Sequence, residues 1–377
     1  MKYDEYNISQ KEIRLLEELE DLIGDPLPIV KNINWDTYGI KIENGRITGL
    51  GLYSKNLTFL PDNFGDLVNL RELYLTNNQL TYLPNSIGKL SKLEILWIID
   101  NRLITFNENI CDLTNLRILW ITECWIGNLP ECLGNLRNLR IFNFNNNKPL
   151  SSLPKSFGNL INLEELHLRG NKFSSLPDFI GNLHLLRKIN LQCNRITSIP
   201  ENICNLKNLQ ALHLDVNELT SLPKEIGNLQ NLKFLDAYGN KITFIPESIG
   251  KLKNLIRLDL DENLLKDIPD TLCNLINLKD LGLSANKLSF LPDDIGQLEQ
   301  LRKLSLGLNK LFNLPESFWN LHNLEWLSIR NNKLELLPEE IQNLKKLHTL
   351  RIARNPLKSH PKSLKNLRNQ GCDIDIS

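Results

Sequence analysis

Apolar residues recur in one fixed arrangement along most of this chain, and the arrangement returns every 23 residues. One extra residue near Pro149 interrupts the period once, and Ile47 fits one period upstream of the first leucine. A period of this length is typical of solenoids, in which each unit buries its apolar face only against its neighbours. The sequence predicts about fourteen repeats over residues 47–369. The leucines that open the regular repeats are Leu70, Leu93, Leu116, Leu139, Leu163, Leu186, Leu209, Leu232, Leu255, Leu278, Leu301, Leu324 and Leu347.

Each repeat reads L-x-x-L-x-L-x-x-N-x-L-x-x-L-P-x-x-I-G-x-L-x-N, as in LEELHLRGNKFSSLPDFIGNLHL at 163–185. The alternation in L-x-L predicts a short strand whose fourth and sixth residues point into the core. The leucine before proline and the isoleucine before glycine are predicted to close the other side of the coil. The third, fifth, seventh and eighth positions then form an outward face.

This pattern resembles the leucine-rich repeat. The resemblance implies an α/β fold, a right-handed solenoid shaped like a horseshoe, with a parallel sheet on its concave side. The LPxxIG form is similar to cytosolic members, including Ras-suppressor-like and plant intracellular Ras-group-related proteins. That resemblance implies a non-catalytic scaffold or adaptor in intracellular signalling, with a protein partner such as a small GTPase or a phosphatase complex.

The ninth position is asparagine in twelve of the fourteen repeats, with Lys55 and Cys124 in the other two. A buried asparagine must be hydrogen-bonded, so these side chains are predicted to form a ladder against the backbone of the adjoining turn. Cys124 is interpreted as a structural rung, because a buried thiol behaves as a small apolar group.

The seven cysteines are scattered, with no CxxC pair and no histidines at zinc-site spacing. They are predicted to be reduced thiols in the cytoplasm. Cys111, Cys204 and Cys273 stand where other repeats have the glycine of LPxxIG, and are predicted to be small packing residues.

The two ends are predicted to cap the raw apolar faces of the solenoid, with an N-terminal cap over 1–46 and a closing half-repeat over 370–377. Ser9 and Glu12 form a capping box. It precedes a helix whose apolar stripe is Leu15, Leu16, Leu19, Leu22 and Ile23, and which Gly24, Pro26 and Pro28 end. Asn44-Gly45 predicts a two-residue hairpin turn, and Ile374 and Ile376 a last strand. Residues 35–52, WDTYGIKIENGRITGLGL, resemble the N-terminal cap of plant receptor-type repeats, with Ile42 where that family has a cysteine.

The main candidate site lies on the outward face of the second to fifth repeats, where aromatic and branched residues replace polar ones. Tyr74, Trp97 and Trp120 share the fifth position in successive repeats and are predicted to stack, at about 4.8 Å per strand. Tyrosine and tryptophan dominate binding energy in interfaces, so this patch is predicted to bind a partner protein. Two alternatives are a cover formed by residues 24–34 or the N-terminal helix, and self-association. The predicted patch comprises Tyr74, Ile95, Trp97, Ile99, Ile118, Trp120 and Trp125.

Polarity changes further along the same face, and a secondary partner site is predicted there. It begins with His213 in a mixed stretch, continues with an acidic part of Asp236, Tyr238, Asp259 and Asp261, and ends in a basic part of Arg330, Arg351 and Arg354. Eight lysines and arginines and no acid lie between Ile341 and Cys372. The alternative function is therefore an anion-binding module, for nucleic acid or phospholipid, at the basic C-terminal end.

Composition narrows the function classes. There are 44 basic and 44 acidic residues, so the whole molecule shows no bias toward nucleic acid. No apolar run reaches membrane-spanning length, and no nucleotide, zinc-protease or hydrolase motif is present. A Cys193–His213–Asp215 site and cation binding by Asp236, Asp259 and Asp261 are both less favoured than a solvated surface. The prediction is a protein without catalysis, cofactor or metal, monomeric or weakly self-associating.

Overall fold

The computed structural model describes Tyr3, Tyr6 and residues 8–376. Contacts divide the chain into two compact units. The first contains the chain up to residue 173 together with 182–188, and the second contains 174–181 and the chain from residue 189 onward.

The first unit begins with helix α1 (Gln10–Ile23) and a hairpin of antiparallel strands, β1 (Tyr38–Glu43) and β2 (Arg46–Leu52). From β2 onward each strand pairs in parallel with the next strand of the chain. These strands are β3 (Glu72–Tyr74), β4 (Ile95–Ile99), β5 (Ile118–Thr122), β6 (Ile141–Asn143) and β7 (Glu165–His167). The boundary between the units falls within the next strand along the chain, β8 (Lys188–Asn190).

The second unit continues the same order, with each strand parallel to the next from β9 to β16. Helix α2 (Lys362–Asn369) precedes the last strand. The strands are β9 (Ala211–His213), β10 (Phe234–Asp236), β11 (Arg257–Asp259), β12 (Asp280–Gly282), β13 (Lys303–Ser305), β14 (Trp326–Ser328), β15 (Thr349–Arg351) and β16 (Asp373–Asp375).

The predicted repeat solenoid with a parallel sheet is confirmed: within the described residues, β2 to β15 are fourteen strands, one for each repeat. The strands are joined by short 3-10 helices, since 23 residues leave little room for α-helix. These helices are Phe64–Asp66, Asn85–Lys89, Glu108–Asp112, Glu131–Asn135, Lys155–Asn159, Asp178–Asn182, Glu201–Asn205, Ile226–Asn228, Glu247–Lys251, Asp270–Asn274, Ile295–Gln297, Glu316–Asn320 and Glu339–Asn343.

The predicted asparagine ladder is also confirmed. In a typical rung, Asn263 Oδ1 accepts from the Ile242 amide at 2.9 Å, while its Nδ2 donates to the Ala237 carbonyl at 2.9 Å. Cys124 fills its rung as a buried free thiol with Sγ 3.5 Å from the Thr122 carbonyl oxygen, and burial raises its pKa to about 12. A typical asparagine rung therefore ties one repeat to the backbone of the previous one.

The prediction that all cysteines are reduced is wrong, because Cys111 forms a disulfide bond with Cys132. The glycine position of each repeat lies against the residue two positions earlier in the next repeat, as Gly88 lies against Asn109. Cys111 occupies this glycine position, and Cys132 is the facing residue of the next repeat, 21 residues later. Cys204 and Cys273 are buried free thiols at the same position, as predicted for packing residues.

The N-terminal elements largely follow the prediction. The capping box of Ser9 and Glu12 is formed, and Gly24 ends α1 in the left-handed conformation. Leu15, Leu16 and Leu19 are fully buried, but Leu22 is 40% exposed, so the apolar stripe is shorter than predicted. Met1, Lys2, Asp4, Glu5, Asn7 and Ser377 belong to the predicted caps but lie outside the described residues.

Candidate functional site

Three aromatic residues of the first unit form a stack on the outward face, which is the side of the strands opposite the buried leucines. Trp97 and Trp120 are exact register partners in β4 and β5. Their rings lie 4.0 Å apart between centroids and 10° from parallel. Tyr74 lies against Trp97 at 6.1 Å and 41°. The parallel register of identical positions therefore produces the predicted stack.

This stacking uses the flat faces of both indoles and leaves ring edges to the surroundings. Both tryptophans are half-buried, and Tyr74 is 8% exposed. Burial raises the pKa of Tyr74 to about 12. The Trp97 Nε1 is buried and has no hydrogen-bond acceptor among the described residues. The half-buried indole edges are therefore the parts of the tryptophan pair that remain open to contact.

The branched residues of the patch flank the stack. Ile95, Ile118 and Ile141 are successive register partners and are half-buried. Ile99 is also half-buried, at the end of β4 beside Thr122. Trp125 is 56% exposed beyond the end of β5, so it lies outside the stack to which Trp97 and Trp120 belong.

The stack extends one ring further than the sequence prediction. His167 lies 6.3 Å from Trp120 between centroids, with the rings 30° apart, and its Nε2 is 2.9 Å from Glu165 Oε2. Asn143, on the strand between them, is 1% exposed and too small to separate the rings. The signal was in the sequence: His167 is a ring at the fifth position, interrupted by one small residue.

The segment 24–34, one of the predicted covers, packs at the start of the sheet. Val30 and Ile40 are joined by a backbone hydrogen bond of 2.8 Å, and Ile29 bridges Ile40. Ile33 lies over Gly49, because a Cβ atom at Gly49 would come within 3.2 Å of Ile33 Cγ2. These contacts of the segment are with β1 and β2, and further contacts join Leu27 to Glu20 of α1 and Asp25 to Lys55. The tryptophan pair is on β4 and β5.

In the second unit, the predicted acidic residues form an ion-pair network around one guanidinium. Arg257 Nε lies 2.9 Å from Asp236 Oδ1, and its Nη2 lies 2.7 Å from Asp259 Oδ2. Arg257 Nη1 also lies 3.8 Å from Asp280 Oδ2. Sequence reasoning did not single out Arg257 or Asp280, although the third position of each repeat was assigned to the outward face.

The same network contains the groups best placed to bind a metal among the described residues. Atoms of His213, Asp215 and Asp236 lie within 4.8 Å of one another. His213 Nδ1 is 2.8 Å from Asp236 Oδ2. Asp215 accepts hydrogen bonds from the Gln192 side chain and, at 3.2 Å, from the Tyr238 amide. Both carboxylates already have hydrogen-bond or ion-pair partners in the protein. The arrangement is therefore explained as a polar network without a bound metal ion.

Asp261, predicted to belong to the acidic part, has an unusual protonation equilibrium. Burial, followed by the charge of Asp259, raises the pKa of its carboxyl from 3.8 to about 7. The Ser284 amide donates a hydrogen bond of 2.6 Å to Oδ1, which partly opposes this shift.

We expect Asp261 to lower the free energy of unfolding as pH rises. The folded protein binds this proton more tightly than the unfolded chain, so the destabilisation develops as pH rises from about 4 to about 7 and is constant above. Asp261→Asn should therefore raise the melting temperature relative to wild type at pH 8 and leave it nearly unchanged at pH 4. The exposed Asp62→Asn is the control; an equal gain from both variants at pH 8 would contradict this assignment.

The three basic residues of the secondary site differ in exposure and in ion pairing. Arg351 Nη2 forms an ion pair of 2.6 Å with Asp373 Oδ2. Arg354 is exposed in a left-handed turn with φ 59°. Arg330 is exposed and has no ion pair within the described part of the chain.

Comparison with known proteins adds family and structural relatives. A model described as a leucine-rich repeat region matches residues 105–218, 200–313 and 267–372, and a model for the leucine rich repeat matches residues 69–90. No curated protein matches the chain. Among the described residues, no helix is long and apolar enough to cross a membrane.

Three solved structures illustrate the similarity. A leucine-rich-repeat protein of Leptospira interrogans is 36% identical, with a TM-score of 0.64, over 87% of this chain and 95% of that one. A TDR receptor is 31% identical, with a TM-score of 0.74, over 85% of this chain and 57% of that one. The ectodomain of the Arabidopsis thaliana receptor kinase GASSHO1/SCHENGEN3 was solved with CASPARIAN STRIP INTEGRITY FACTOR 2. It is 27% identical, with a TM-score of 0.64, over 98% of this chain and 53% of that one.

Proposed function

Since this chain belongs to the leucine-rich repeat family, whose fold commonly serves protein interaction, we propose that it is a non-catalytic scaffold that binds a partner protein through the aromatic stack. The observation that carries the proposal is the parallel tryptophan pair at 4.0 Å on the outward face. Solvent-facing strand positions ordinarily carry polar residues. Two indoles and three isoleucines there form the kind of apolar surface that marks interaction sites.

The geometry also favours one class of partner surface. Nucleic-acid bases bind aromatic residues through the faces of the rings. Here Trp97 and Trp120 cover each other's inner faces, and Tyr74 and His167 flank the outer ones. Ring edges and isoleucine methyl groups remain available, and these suit apolar side chains of a protein. The similar Arabidopsis receptor ectodomain was solved in complex with CASPARIAN STRIP INTEGRITY FACTOR 2, which is consistent with a binding role for the fold.

The test is affinity capture from a lysate of the source cells with wild type and with Trp97→Ser/Trp120→Ser. A protein retained by wild type would be purified and its affinity measured for both. Hot-spot aromatic residues contribute about 2 kcal/mol or more each, so we expect affinity to fall at least thirtyfold.

Trp125→Ser is the matched control, because Trp125 is exposed and lies outside the stack. It should leave affinity within about threefold of wild type, and melting curves should show that all variants fold. Retention of the same partners with unchanged affinity by the double variant would refute the proposal and leave the stack as internal packing.

The alternative function, anion binding at the basic C-terminal end, has less structural support than protein binding through the aromatic stack. Arg351 pairs with Asp373, and Lys358 pairs with Glu335, so part of that charge is already neutralised. Salt dependence separates the two functions: neutralisation of phosphates gives an affinity that falls steeply with salt, and an apolar patch gives a weak dependence.

Several expectations about context stay predictions: the intracellular signalling role, a small GTPase or phosphatase complex as partner, and the domain bounds at 46/47 and 369/370. The cytoplasmic prediction is disfavoured by the Cys111–Cys132 bond, because disulfides persist mainly in oxidising compartments.

A further inference from the structure

The second unit contains a pocket of about 420 Å³ on its outward face, which is within the size range of ligand-binding pockets. Its two ends differ in charge. Tyr238, Asp261 and Glu262 line one end, and Trp326, Arg330, Arg351 and Asp375 line the other, where the two arginines outnumber the one carboxylate. This pocket spans the border between the acidic and basic parts of the secondary site.

The floor of the pocket is built from small residues, among them Ser284, Ser305, Gly307 and Ser328. Gly307 matters for the shape, because a Cβ there would come within 3.1 Å of Arg330 Cγ and of Ser328 Oγ. The aliphatic stem of Arg330 therefore lies across a position that has no side chain. The serines and Gly307 leave a channel lined by small residues between the two charged ends.

The charged groups at the two ends differ in how well the protein neutralises them. Asp261 faces Asp259 and Asp280, which Arg257 already pairs, with Lys303 as the opposing cation of Asp261. Glu262 is exposed and hydrogen-bonded to the Tyr238 hydroxyl. At the far end, Arg351 is paired with Asp373, whereas Arg330 has no such pair within the described residues. A cation is therefore favoured beside Asp261, and an anion beside Arg330.

We propose that this pocket binds an extended segment of a partner protein, with a lysine or arginine against Asp261 and Glu262 and an acidic residue against Arg330. Asp261 and Arg330 share the seventh position of repeats three strands apart, about 14 Å at 4.8 Å per strand. An extended chain advances about 3.3 Å per residue, so the two charges are three to five residues apart. A single amino acid is too short to reach both ends.

The test is selection of a phage-displayed random heptapeptide library on wild type, with removal of phage that bind Ser305→Trp. Tryptophan at 305 would fill the channel, and this change should fold because Trp97 and Trp120 occupy the same repeat position. We expect the selected peptides to carry a basic and an acidic residue three to five positions apart. Their affinity should fall at least tenfold in Ser305→Trp and in Arg330→Glu.

The selected peptides should bind more tightly at pH 8 than at pH 6, because a bound cation favours the charged form of Asp261, whose own neighbours are Asp259, Asp280 and Lys303. They should bind Trp97→Ser/Trp120→Ser as they bind wild type, which separates this site from the aromatic stack. Failure of any peptide to enrich, or enrichment of peptides without the charge pair, would overturn the proposal. So would a wild-type dimer that Ser305→Trp dissociates, because the occupant would then be a second copy of this chain.

Discussion

Asn286→Ala should lower the melting temperature of the protein by about 5 °C or more. The Asn286 side chain is buried, accepts a hydrogen bond of 3.0 Å from the Leu265 amide, and donates to the carbonyls of Leu260 and Leu283 at 2.9 and 3.1 Å. Each buried polar group left without a partner costs roughly 1–3 kcal/mol. The truncation strands more than one such group, so the expected loss is roughly 3–5 kcal/mol.

The chain supplies a matched control for this change. Asn254 belongs to a second series of asparagines at the end of most repeats, and its side chain donates to the Gln230 carbonyl at 2.8 Å from an exposed position. Asn254→Ala should cost less than about 1 kcal/mol, because water replaces the lost partner. Amide exchange at Leu265 should accelerate only in Asn286→Ala. Equal destabilisation by the two variants would contradict the role assigned to the buried ladder.

A third variant separates hydrogen bonding from volume. Cys124 already replaces asparagine at this position in one repeat, so Asn286→Cys tests whether a thiol suffices elsewhere. We expect it to be less destabilising than alanine, because the thiol retains packing volume. It should remain less stable than wild type, since a thiol is only a weak hydrogen-bonding group.

Removal of the Cys111–Cys132 bond is expected to have the second large effect. The bond closes a loop with a sequence separation of 21, for which the chain-entropy model gives a stabilisation of about 3 kcal/mol. Cys111→Ser/Cys132→Ser should therefore melt about 5 °C below oxidised wild type. A reducing agent should lower the melting temperature of wild type and leave that of the double variant unchanged.

Cys204→Ser is the control for this prediction, because Cys204 occupies the same repeat position as Cys111 but faces Glu225 rather than a cysteine. It should preserve the response to reductant. If wild type melts at one temperature with and without reductant, the bond has no role in stability. The bond also joins the two repeats that carry Trp97 and Trp120, so partner affinity should be compared in both redox states.

The sequence by itself determined the repeat, the strand positions, the asparagine ladder, the capping box and the Asn44-Gly45 hairpin. These features depend on spacing within a repeat or within a few residues, where geometry is fixed by the strand period and by turn chemistry. The adjacency of Tyr74, Trp97 and Trp120 followed too, because parallel strands in register bring equal positions together.

Only the tertiary structure decided what depends on the offset between repeats and on side-chain direction. Cys111 meets Cys132 because the packing of consecutive 3-10 helices offsets them by two positions, and the spacing within one repeat does not reveal that offset. Leu22 is exposed while Ile23 beside it is half-buried, so the direction of each side chain on α1 decides its burial. His167 joins the aromatic stack and Arg257 gathers three carboxylates because long side chains reach across neighbouring strands, a choice set by packing rather than by periodicity.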